Sequence, residues 1–156
     1  MEHITSETLD GVIQLPGSQP AVKTGYSSGS ETEDHFVTRD GIRFAGTHLI
    51  LDFWDAKHLD ELDTMDRAIR EAVSVSSATL LHIHLHHFTP NNGISGIAVL
   101  AESHISVHTW PERDFAAFDI FMCGNAKPEM SVPVLKQHFC PGCVEITEHL
   151  RGIIRK

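Results

Sequence analysis

The sequence predicts an α+β fold, a two-layer sandwich in which an antiparallel-rich sheet is covered by two helices. Three observations carry this expectation. Strand-like apolar alternation dominates from Gly46 onward, a helical period occurs only twice, and Gly, Pro and Asn interrupt the runs at short intervals.

Residues 1–38 hold Gly, Ser, Pro, Thr and acidic side chains (LPGSQP, GYSSGSETED), with few apolar positions and no sustained period. Such a stretch cannot bury enough surface to offset its ordering entropy. It is expected to be a disordered tail ahead of a single domain, 39–156. THLILDFWDA reads as the first strand. Leu59, Leu62, Met65, Ile69, Ala72 and Val73 then recur at helical spacing and give a helix one apolar face. From Ala78 to Phe88 the period is two, with Leu81, Ile83 and Leu85 on one side and His82, His84 and His86 on the other. TPNNG supplies a turn, after which ISGIAVLA and HISVHTW read as strands on either side of Glu102-Ser103. WPERD turns the chain, and FAAFDIFMC runs to a further turn at Gly124-Asn125. A short helix near Val132 to Phe139 stops at Pro141-Gly142, and CVEITEHL closes the domain as an alternating strand.

A chain of 156 residues has room for one domain with a real core. Its net charge of -9 speaks against nucleic acid and anionic membranes as partners, since both require clustered Lys and Arg. No stretch approaches the about 18 consecutive apolar residues that a membrane span needs. The start, MEHITSETLDG, lacks the basic and apolar run of a secretory signal, so a cytoplasmic protein with three thiols is expected.

Several groups could carry chemistry. Imidazoles two apart on a strand share a face, so HIHLHH admits a non-cleaving zinc-binding domain. Strand histidines more often serve as ordinary polar-face residues, and no metal is expected. Cys140-Pro-Gly-Cys143 follows a helix and precedes a strand, the reverse of the thioredoxin order, and reads as two small residues at a turn. The segment Ala101 to Gly124 is different in kind: a serine, two histidines, a tryptophan, a carboxylate and a cysteine share two strands and their turn. Ser103 with His108 as base suggests a nucleophile, yet the GxSxG elbow is missing, because Ser103 sits in ESH and Ser95 in GISG. The residues alone leave the reaction open.

This segment, AESHISVHTWPERDFAAFDIFMCG, together with GTHLILDF and HHFTPNNGISG before it, resembles the self-cleaving site of the S-adenosylmethionine decarboxylase family in its short prokaryotic form. The resemblance spans roughly Gly46 to Gly124. It implies that Ser103 Oγ attacks the carbonyl of Glu102 and converts the peptide bond to an ester. Elimination then leaves chains 1–102 and 103–156, and the dehydroalanine left at the start of the second hydrolyses to a pyruvoyl group made from Ser103. That carbonyl would form a Schiff base with the substrate amine and accept the electron pair left by departing carbon dioxide. The product is decarboxylated S-adenosylmethionine, the aminopropyl donor of spermidine synthesis.

The same resemblance assigns roles. His108 matches the processing base, Ser95 a second processing residue and Cys123 the proton donor. Phe88 and Trp110 match aromatic positions that sandwich the adenine, and Glu112 matches the residue that takes the ribose hydroxyls. Asp52, which stands where close relatives often carry Glu, is counted with the substrate-binding residues. Ser103 and His108 are five residues apart on or beside one strand, so their approach would need a bend or bulge. The family commonly builds its site between two protomers, and a homodimer is expected. Asp52 and the charged pair Arg113-Asp114 leave L-arginine or L-ornithine as an alternative substrate.

Overall fold

Apolar residues at a period of two in the strands, and near 3.6 in the helices, sort the side chains into one core and two outer surfaces. The structure, a computed structural model, describes residues 35–101 and 103–154. In chain order it contains β1 (Val37–Arg39), β2 (Ile42–Phe44), β3 (Gly46–Trp54), α1 (Leu62–Val75), β4 (Leu80–His87) and β5 (Ile94–Leu100). After these come β6 (Ser103–Trp110), β7 (Phe115–Cys123), α2 (Ser131–Phe139) and β8 (Cys143–Arg151). Six strands form one sheet in the order β4-β5-β6-β7-β3-β8, with every neighbouring pair antiparallel.

One face of this sheet is the core. Leu49, Leu51 and Phe53 of β3, Ile105 and Val107 of β6, and Phe118, Ile120 and Met122 of β7 point into it. Met65, Ala68, Ile69 and Ala72 of α1 close it from above, with Leu135 and Phe139 of α2. The Phe118 ring lies 5.3 Å from that of Phe53 and 5.7 Å from that of Phe139, so the two layers meet at this residue. The alternate positions, among them His48, His104, Ser106, His108, Trp110 and Asp119, form the other face, which no described helix covers. An antiparallel sheet tolerates this because each of its faces is chemically independent.

The α+β sandwich of a sheet under two helices is therefore observed. Two details differ from expectation. A separate hairpin, β1 paired with β2, begins at Val37, inside the stretch read as tail. It turns at Asp40 (φ 52°) and Gly41 (φ 77°), the left-handed pair that a two-residue Asp-Gly turn requires. Leu81, assigned to the apolar side of β4, is instead 63% exposed. The pairing of β4 with β5 shifts register between Leu80 and His82, and this irregularity turns Leu81 away from Ile83 and Leu85. The disorder expected of residues 1–34 lies outside the described residues.

Phe118→Ala removes the ring shared by both layers. In the Ser103→Ala background, which keeps the polypeptide whole, it should cost about 3–5 kcal/mol. Denaturant unfolding at fixed protein concentration would report this as a lowered midpoint with little change in slope.

Candidate active site

The candidate residues fall into two groups at opposite ends of β6. At its start, Leu100 and Ser103 are ladder partners, so Ser103 stands at the closed end of the β5–β6 hairpin. Ser103 is only 9% exposed. Its Oγ accepts the backbone N–H of Cys123 at 3.3 Å and lies 4.0 Å from Cys123 Sγ at the end of β7. Serine and thiol are thus brought together by the β6–β7 pairing. Glu102 lies outside the described residues.

At the other end, Ser95 of β5 and His108 of β6 are cross-strand partners, and Ser95 Oγ shares a hydrogen bond of 2.7 Å with His108 Nδ1. They border a recess of about 320 Å³ whose walls include Phe88 and Asn91 from the β4–β5 turn, Trp110, and Glu112. The turn is closed by the Phe88 N–H, which donates to the Gly93 carbonyl at 2.8 Å. Gly93 has no substitute there, because a Cβ would come within 2.8 Å of the Thr109 carbonyl oxygen. Thr109, on the core side of β6, fastens this end. Its Oγ1 accepts the Ile94 N–H at 2.7 Å and donates to the Leu59 carbonyl at 2.8 Å. One hydroxyl thereby ties the start of β5 and the approach to α1 to the residue beside His108.

Aromatic rings extend the recess across the open face. Trp110 lies 5.3 Å from Phe115, and Phe115 lies 4.3 Å from Trp54, each pair only 31° from parallel. Asp52 is not part of the recess. It sits in the same cross-strand row as His108, with Ala117 between them and Glu145 beyond.

The bend or bulge that Ser103 and His108 would need does not occur. β6 pairs in unbroken register with β5 and with β7. Five residues at about 3.3 Å each separate the two side chains by roughly 16 Å. Within one chain, Ser103 and Cys123 form one half-site, and Ser95, His108, Phe88, Trp110 and Glu112 form another. Elsewhere on this face stands a polar group that the motifs did not single out. Arg151 donates to His48 Nδ1 at 3.2 Å, and His48 Nε2 lies 3.2 Å from Asp119 Oδ1. His82, His84 and His86 line β4, but among the described residues no three His, Cys, Asp or Glu side chains come together in a way that could hold a metal ion.

Residues 47–152 match the model of a family described as S-adenosylmethionine decarboxylase. The chain belongs to that family. The S-adenosylmethionine decarboxylase proenzyme of Thermomicrobium roseum is 44% identical over 110 residues, which cover 70% of this chain and 95% of that relative. The proenzyme of the same name from Methanococcus maripaludis is 41% identical over 112 residues, covering 70% of this chain and 91% of the relative. Among solved structures, the adenosylmethionine decarboxylase of Aquifex aeolicus matches with a TM-score of 0.65 at 28% identity, covering 71% of this chain and 93% of that one.

Membership in the S-adenosylmethionine decarboxylase family gives both half-sites a common context, since each of their residues lies inside the matched span. The Thr109 clamp was not anticipated, because a hydroxyl on the buried side of a strand leaves no mark in an alternating pattern. Thr109→Val in this decarboxylase-family chain strands one buried donor and one buried acceptor. It should destabilise the protein by about 1–3 kcal/mol for each group left unsatisfied. Thr109→Ser should recover most of that loss in the same thermal or denaturant melt.

Proposed function

We propose that the chain is a self-processing, pyruvoyl-dependent S-adenosylmethionine decarboxylase. It cuts itself between Glu102 and Ser103 and works in the cytoplasm as a homodimer. The observation that carries this reading is the nearly buried Ser103 hydroxyl at the closed end of a hairpin, held by the Cys123 N–H and beside the Cys123 thiol. The relatives' names favour S-adenosylmethionine over arginine or ornithine as the substrate.

The residues present fit a pyruvoyl group made from Ser103. The Ser103 side chain from which it would be made is already shielded from water, and the Cys123 sulfur stands 4.0 Å away. The group supplies an electron sink for the pair released with carbon dioxide. Everything else falls to this chain's own side chains. The Ser103 hydroxyl attacks the preceding carbonyl, and the Ser95–His108 pair takes up the protons released in processing. Cys123 Sγ–H then returns a proton to the carbon that has lost its carboxylate. Phe88 and Trp110 stack on the flat base and favour a nearby sulfonium cation, while the Glu112 carboxylate accepts hydrogen bonds from the ribose hydroxyls.

Two half-sites about 16 Å apart along one strand cannot act on the same bond. A second copy, turned by a two-fold axis and laid on the open face, sets the Ser103 end of one protomer against the His108 end of the other, and does so twice. The open face suits such a partner, because Trp54, Ile97, Val99 and Trp110 each leave about 40% of their surface in water in the single chain.

Intact mass of the purified protein should show two chains, the heavier fragment ending at Glu102. Ser103→Ala should give one uncut, inactive chain; a variant that still splits or decarboxylates would end the reading. Cys123→Ala should still be processed but lose turnover. Coexpressed Cys123→Ala and Phe88→Ala chains, each inactive alone, should regain about a quarter of the wild-type rate, since half of randomly paired dimers are mixed and each mixed dimer holds one intact site. No recovery would mean that both half-sites belong to one chain.

A further inference from the structure

His104 follows Ser103 directly, and strand alternation puts its imidazole on the open face. Its cross-strand partner on β7 is Phe121, whose ring lies 5.7 Å away. Cys123 is two residues farther along the same face of β7, which makes it the diagonal neighbour of His104. That relation places two Cα atoms about 7–8 Å apart, within reach of a long side chain. His104 and Cys123 therefore belong to the same half-site.

The groups around His104 set its charge. From β3, the His48 ring stands 6.4 Å away. Arginine can only donate, so its contact to His48 Nδ1 leaves the His48 proton on Nε2, where it points at Asp119 Oδ1. Ser106 donates to the other Asp119 oxygen at 3.5 Å. From β5, the partner of His104 is the apolar Val99; His82 of β4 and His149 of β8 continue the same row at its two ends. Burial, and then the like charge that His48 can carry, hold the His104 imidazolium below the usual histidine range, with Asp119 opposing them. At neutral pH the ring is consequently uncharged at rest. It puts no positive charge beside the Cys123 thiol, where one would pull the thiol toward thiolate and remove the proton it must give.

A thiol that protonates carbon is left as a thiolate, which must regain a proton before the next cycle. We propose that His104 returns this proton to Cys123 Sγ. Once Cys123 is a thiolate, the neutral imidazole takes a proton from water; the imidazolium N–H bond so made then breaks as the S–H bond forms, and the ring returns to its uncharged resting state, so the cycle balances without another reagent. His104 acts through Cys123 and touches no substrate. This inference rests on the reading of Cys123 as the proton donor.

Two measurements test it. In the uncut Ser103→Ala protein, the titration midpoint of His104 is followed by NMR of ring-labelled histidine, with and without Cys123→Asp as a stand-in for the thiolate. A carboxylate at that position should raise the midpoint by about one pH unit or more; an unmoved midpoint overturns the proposal. In the processed enzyme, His104→Asn should lower kcat by roughly 10- to 100-fold with KM near the wild-type value, and added imidazole should restore turnover in proportion to its concentration. Unchanged kcat, or a loss that imidazole does not rescue, also overturns it. Should His104→Asn remain uncut, the titration alone decides. A wild-type protein found uncut sinks the decarboxylase reading, whereas a cut and active wild type with an indifferent His104→Asn sinks only this inference.

Discussion

Ladder hydrogen bonding along β6 is the constraint on which the site depends. The strand is paired without interruption to β5 on one side and β7 on the other, so its residues advance at a fixed rise and change face at every step. Ile105 and Val107 go to the core, while His104, Ser106, His108 and Trp110 go to the open face. A single extra residue would send every later side chain to the wrong side, burying an imidazole and exposing a valine. The regularity that secures the core is thus the same regularity that keeps Ser103 away from His108. Chemistry that needs both must find the second one elsewhere.

The two faces of the sheet answer to different demands. The face under the helices is filled with Phe, Leu, Ile and Met and obeys packing alone. The other combines rings, imidazoles and carboxylates: Trp54 and Trp110 remain about 40% exposed, with Asp52 and Asp119 on the same face. Local rules are broken where function asks for it. The Arg151–His48–Asp119 contacts show how the exposed side stays ordered despite this, since each polar atom is held by a neighbour on the next strand.

Most of the fold was legible because its runs are short and well punctuated. β3, β5 and β7 are apolar runs bounded by turn residues, β6 alternates, and α1 repeats at helical spacing, so their existence and the α+β class follow from residue order. The hairpin of β1 and β2 was missed, although Asp40-Gly41 between two short β-prone runs is a recognisable turn signal; three-residue strands are too brief to show a period. Leu81 was misassigned because a register shift leaves no trace in composition. The candidate residues of both half-sites could be named from the HHFTPNNGISG, ESHISVHTWPE and FMCG motifs, but their separation could not, since spacing along a chain does not say whether a strand will bend. The Arg151–His48–Asp119 group was illegible for a further reason: Arg151 and His48 are 103 residues apart in sequence, yet their strands lie side by side.

Strand order also bears on what the proposed cut ahead of Ser103 would do to the polypeptide. The stretch before that point supplies β3, β4, β5 and α1; the stretch after it supplies β6, β7, β8 and α2. In the sheet, β3 lies between β7 and β8, and β5 lies against β6. The two fragments are interleaved like clasped fingers, joined by three ladders and a common apolar interior, so neither can leave without taking the whole domain apart. Such a cut would therefore sacrifice a covalent bond at no risk of dissociation, and the freed terminus would gain room to move only at its very tip.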